Sequence, residues 1–101
     1  MDPRCAEYVV TEAERLAFSR DGFFVLEDIL PEEMVEKLIV ATDRVDREYR
    51  QKDGIQPNER SNKLDFIGKD DLFLELIDWY KTFPKVWGLM NWNINLYHSH
   101  L

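Results

Sequence analysis

The 101-residue chain sets 13 lysines and arginines against 20 aspartates and glutamates, a formal charge of −7, so its surface repels phosphate backbones and anionic lipid headgroups, and neither nucleic acid nor a membrane is an expected partner. With 45% hydrophobic and 13% aromatic residues it holds enough apolar material for a packed core and too much for a disordered chain. Cys5 is the single cysteine and cannot form an internal disulfide, and there is neither a signal-peptide pattern nor a run near the roughly 20 apolar residues of a membrane span, so the cytoplasm is the expected location.

In chain order, the segment to Val10 reads as a frayed terminus, where a thiolate at Cys5 could not be held for catalysis. Thr11 opens "TEAE", the reciprocal cap in which Thr11 accepts from the Glu14 N–H and Glu14 reaches back. A short helix to Arg20 follows, and Asp21-Gly22 ends it. "FFVLED", Phe23 to Asp28, is aromatic and β-branched and reads as a strand. Pro31 suits a helix start, and Glu32 and Glu33 favour the positive end of its dipole. Met34, Leu38, Ala41 and Val45 then recur at spacings of four and three, giving a helix from about Pro31 to Arg50 one apolar face. Its other face, with Glu36, Lys37, Asp43, Arg44, Asp46, Arg47 and Glu48, reads as solvated surface.

Gln51 to Asn62 is polar, contains Gly and Pro, and has no period, so it is a loop of a length often used as a lid or mobile segment. "KLDFIG" reads as a short strand. Asp70 or Asp71 can cap a third helix carrying Leu72, Phe73, Leu76, Ile77 and Tyr80, which Pro84 breaks before a further turn toward Gly88. From Asn91 the period becomes two. Asn93, Asn95, Tyr97 and Ser99 fall on one face; Ile94, Leu96, His98 and His100 fall on the other. Such a strand runs from a core either into a site or into water.

Imidazoles at i and i+2 of one strand face can grip a single metal ion, but a catalytic zinc or iron needs a third ligand, and no acidic residue stands at a recognisable spacing. A satisfied or solvent-facing histidine pair is the plainer reading. Lys63, between the polar loop and a short apolar run, is either a site cation or a surface lysine. The sequence holds no Gly-rich phosphate loop, nucleophile elbow or HExxH.

Two stretches carry a resemblance. "TEAERLAFSRDGFFVLEDILPEEMVEKL", Thr11 to Leu38, resembles the N-terminal opening of the phytanoyl-CoA dioxygenase family, and "NINLYHSHL", Asn93 to Leu101, resembles a strand that leads toward the active centre in bacterial members. The spacing from Lys63 to that strand also fits. The resemblance implies an oxidoreductase: a non-haem Fe(II)/2-oxoglutarate-dependent dioxygenase built on a double-stranded β-helix, whose iron is held by a His-x-Asp pair and a distant second His.

On that basis the expected fold is α+β, a helical N-terminal portion followed by the first strands of a jelly roll left incomplete in this chain. Residues 1–101 would be an N-terminal fragment of one oxygenase domain, without an internal boundary. Lys63 and His100 would contact 2-oxoglutarate, and His98 would neighbour a small organic or acyl substrate. No catalytic or metal-ligating residue falls within the chain, so the fragment would be inactive alone and bind neither Fe(II) nor 2-oxoglutarate tightly; the missing C-terminal half would be its partner. Two readings compete. One is a small helical interaction domain whose stripe Met34, Leu38, Ala41 and Val45 packs on another protein. The other is a metal binder through His98 and His100.

Overall fold

The computed structural model describes Met1 to His100. Its elements are a 3-10 helix at Pro3–Tyr8, α1 at Glu12–Asp21, α2 at Glu32–Asp53, a second 3-10 helix at Phe66–Lys69, α3 at Asp71–Leu74 and α4 at Phe83–Met90. None of these helices is long and apolar enough to cross a membrane. They fall into two compact units, the first made of Met1–Ile29 with Asp78–Asn95, the second of Leu30–Ile77 with the chain from Leu96 on.

In the first unit, α1 starts as the sequence predicts. The Glu14 N–H donates to Thr11 Oγ1 at 3.2 Å while the Thr11 N–H donates to Glu14 Oε1 at 2.9 Å, which satisfies two donors that a helix start leaves orphaned. Gly22 takes φ 81° and returns its N–H to Phe18 O at 2.8 Å, a left-handed position that only glycine adopts without a Cβ clash. The N-terminus is tied down rather than frayed. Asp2 caps the first 3-10 helix, Cys5 is buried, and the Arg4 guanidinium lies 3.8 Å from the centre of the Tyr80 ring, which meets Tyr8 edge-on at 5.4 Å.

α4 closes this unit, and Gly88 is where it comes nearest: a Cβ built there would lie 2.5 Å from Val10 Cγ1. The same helix carries Lys85, whose ammonium is almost covered and donates to Glu14 Oε1 at 2.8 Å and Val9 O at 3.4 Å. Burial pushes the Glu14 carboxyl up, but hydrogen bonds from Lys85 and from the Thr11 backbone and hydroxyl outweigh it and hold the group below its ordinary value.

In the second unit, α2 buries the stripe read from sequence. Ala41 and Val45 form a core with Phe73, which is 1% exposed, and Leu38, Phe66, Ile67 and Leu72 pack around them. Phe66 and Phe73 meet edge to face at 4.9 Å, an arrangement that sets the positive ring edge on the negative face. The stripe is therefore covered within its own chain. The opposite face is not simply solvated: Arg44 holds Glu48 and Asp70, and Asp70 in turn caps α3 by accepting from the Leu72 N–H at 2.8 Å. That backbone bond, then the Arg44 guanidinium, keeps the Asp70 carboxyl below its usual range.

The loop after α2 is pinned. Arg50 donates to Asp46 at 2.8 Å, to Gln56 O at 2.8 Å, to Glu59 O at 2.9 Å and to Ser61 Oγ at 3.2 Å, and the Ser61 hydroxyl donates to Asp46 at 2.8 Å. The Ser61 hydroxyl and then Arg50 lower the Asp46 pKa.

The expected α+β architecture with opening jelly-roll strands is corrected by these observations: the chain is helical, with no sheet among the described residues. Phe23 to Leu26 is extended and alternates as a strand should, Phe24 and Leu26 inward, Phe23 and Val25 outward at 64% and 74% exposed. Among the described residues no second segment lies beside it to take its backbone bonds, so no ladder forms. "KLDFIG" contributes one bridging residue, because Asp65 turns to φ 56° and sends the chain into the 3-10 helix Phe66–Lys69. The third helix predicted through Tyr80 lasts only from Asp71 to Leu74, followed by tight i→i+3 turns at Leu76 and Ile77. Phe73 anchors the second unit's core while Tyr80 stacks in the first, so the apolar positions read as one stripe serve two cores.

Candidate functional site

The segments bearing Lys63 and His100 lie side by side in the second unit. Leu64 and His100 form an isolated antiparallel bridge, the Asp65 N–H donates to Ser99 O at 2.7 Å, and the Ile67 N–H donates to Ser99 Oγ at 3.2 Å. Residues paired across such a bridge share a face, and the flanking residue points the other way. His100 therefore stands with Leu64, and Lys63 with the opposite face.

That face looks onto α2. Lys63 Nζ lies 5.0 Å from the centre of the Tyr49 ring, within the range where a cation is attracted by the ring's negative face. Lys63 and Tyr49 line a hollow of about 140 Å³ together with Val45, Glu48, Lys52 and Lys69. The positions Val45, Glu48, Tyr49 and Lys52 are spaced three, four and seven along α2 and so share one side of it. Lys69, at the end of the second 3-10 helix, completes the rim. None of the three lysines takes part in an ion pair among the described residues. The one carboxylate on the rim, Glu48, already accepts from both its oxygens' side at 3.2 Å from Arg44 Nη1.

The histidines are on the other side of the ribbon. Their rings stand 5.2 Å apart, edge to face, with Tyr97 stacked 4.7 Å from His98. Both are exposed, as is Tyr97 at 91%. The rings of His98 and His100 are neighbours, but the period-two strand expected from Asn91 does not form: Tyr97, expected on the opposite face, lies against His98, and Leu96, expected on the core side, is exposed. Among the described residues no group of three or more His, Cys, Asp or Glu is arranged to hold a metal ion. Lys52, Lys63 and Lys69 all line the small hollow beside Tyr49, and lysine is a side chain of the charge that complements a carboxylate.

Lys63 and His100 do not converge on one pocket, whereas Lys63, Lys52 and Lys69 do. Lys52, Lys69 and Tyr49 are the residues that sequence reasoning missed. Their signal was present: the α2 stripe continues past Val45 at the same spacing, but there its aliphatic residues give way to an aromatic ring and a lysine. No model of a known protein family, no curated protein and no solved structure matches the chain.

Proposed function

We propose that the chain is the N-terminal segment of a cytoplasmic Fe(II)/2-oxoglutarate-dependent dioxygenase acting on a small organic or acyl substrate. The resemblance of Thr11–Leu38 and Asn93–Leu101 to the phytanoyl-CoA dioxygenase family motivates it. The observation that carries it is the place of Lys63, on a hollow with two further lysines that have no ion pair among the described residues, in a chain of charge −7. A bound iron would let O₂ act as the oxidant, with 2-oxoglutarate giving up two electrons as it is decarboxylated to succinate and CO₂ and the C–H bond of the substrate giving up the other two as it is hydroxylated. The part of this chain is binding and orientation: the Lys63 ammonium takes a carboxylate of the cosubstrate, and the Tyr49 ring beneath it restricts where that ammonium can sit. The iron ligands belong to residues beyond Leu101, which in this reading carry a His-x-Asp pair and a later His.

The test is the longer reading frame. Its product should convert 2-oxoglutarate to succinate when Fe(II) and O₂ are supplied, and Lys63→Met should raise the KM for 2-oxoglutarate by about tenfold with a smaller effect on kcat. A frame that closes at Leu101, or a longer protein that consumes no 2-oxoglutarate, overturns the proposal.

A further inference from the structure

We infer that Lys52, Lys63 and Lys69 together form a binding site for a small dianion, and that the site belongs to this chain alone. The inference goes beyond the enzymatic reading, since Lys52 and Lys69 are no part of the resemblance and the hollow exists without any further segment.

Three features of the hollow point to a ligand. The first is charge. Six of the chain's cations, Arg4, Arg20, Lys37, Arg44, Arg50 and Lys85, are matched to a carboxylate at 2.7 to 3.2 Å. Lys52, Lys63 and Lys69 are among the cations with no ion pair among the described residues, and these three share one concavity whose one lining carboxylate, Glu48, is held by Arg44. In a protein with 20 acidic residues, unmatched like charges gathered at one place repel each other, and a bound anion relieves that repulsion.

The second is shape. The hollow measures about 140 Å³, well under the roughly 300 Å³ at which pockets for drug-sized ligands begin, so the occupant is compact. The third is the floor. Val45 is buried and Tyr49 half-buried, so the lining joins an apolar and an aromatic side chain to the three cationic ones. A compact dianion with a short carbon skeleton, or a phosphate ester of similar size, meets all three conditions. Both sources present the same chemistry, two negative charges on oxygen within a few ångströms.

The experiment is a two-dimensional NMR titration of the 101-residue chain at low ionic strength, with sodium phosphate in one series and sodium succinate in the other. Saturable shifts confined to the residues around Val45–Lys52, Lys63 and Lys69 are expected. Lys52→Gln, Lys63→Gln and Lys69→Gln should each weaken binding by about fivefold, and raising the salt to physiological strength by a comparable factor. Lys37→Gln, which removes a lysine already paired with Glu33 at 2.9 Å, should leave binding unchanged. Glu48→Gln should tighten it two- to threefold, roughly, since it removes the rim's carboxylate; a purely structural role for these residues would not produce a gain.

Tighter phosphate assigns the site to phosphate esters, and tighter succinate to dicarboxylates. Shifts that fail to saturate with either probe, or that weaken equally in Lys37→Gln, overturn the inference. Loss of 2-oxoglutarate turnover in the longer protein would bear on the enzymatic reading alone and leave this titration standing, whereas a failed titration would also remove the hollow on which that reading leans.

Discussion

The same side chain is used in opposite ways by the two units. In the first, Lys85 is withdrawn from water, and its ammonium donates to Glu14 Oε1 and to the Val9 carbonyl. In the second, Lys52, Lys63 and Lys69 line a hollow with no ion pair among the described residues, and Lys63 lies over the Tyr49 ring. A lysine that is buried and paired is part of the fold; lysines gathered on one hollow without an ion pair among the described residues, as the half-buried Lys63 and the exposed Lys52 and Lys69 are, remain available to a ligand. The chain's acidic excess makes the contrast informative, because partners for a cation are abundant on this surface.

The largest effect expected is on the paired lysine. Lys85→Met leaves Glu14 charged and shielded from water, and Glu14→Ala leaves the ammonium in the same state, so each should destabilise the first unit by about 3 kcal/mol. Hydrogen exchange of the α1 and α4 amides would read the loss locally. The same pair sets an acid limit. The folded-state pKa of Glu14 lies below the unfolded value, so its contribution is fully present above the ordinary glutamate range and fades as pH falls through that range and below it. In Glu14→Gln the acid-side slope of stability against pH should flatten.

A smaller loss is expected where α4 passes Val10. Gly88→Ala adds a Cβ into a space already filled by the Val10 side chain, and overpacking there should outweigh the better helix propensity of alanine, leaving a net cost of about 1–2 kcal/mol by chemical denaturation. Smallest of all should be the effect of the ring of lysines. Lys52→Gln, Lys63→Gln and Lys69→Gln should each change stability by no more than about 0.5 kcal/mol, as surface substitutions do. A large loss from any of the three would mean that it supports the fold as Lys85 does, and the contrast between the units would collapse.

What was legible in the sequence was local. The Thr11–Glu14 cap, the Gly22 stop, the α2 stripe through Val45, the Asp70 cap and the short helix at Pro84 all depend on residues a few positions apart, and all are found. The strands were not legible, because a strand exists only through its partner. Phe23 to Leu26 has the right residues and the right alternation, and still forms no ladder among the described residues. The histidine segment shows the same limit, since the rings of His98 and His100 are neighbours but the strand expected there does not form. Lys85 went unnoticed because its carboxylate is 71 positions away. The lysine hollow is assembled from a helix, a loop and a 3-10 helix, so only one of its three cations stood out beforehand.

One guanidinium deserves a last thought for what it does to the segment beyond α2. Arg50 reaches into that segment at three points, two of them on either side of Arg60, so the backbone around Arg60 is tied to the last turn of α2. Fraying of that turn would loosen the clasp and should speed cleavage after Arg60 by a trypsin-like protease. The site's rim begins at Lys63, so what guards the backbone from proteolysis also keeps the first of the three ammonium groups in place.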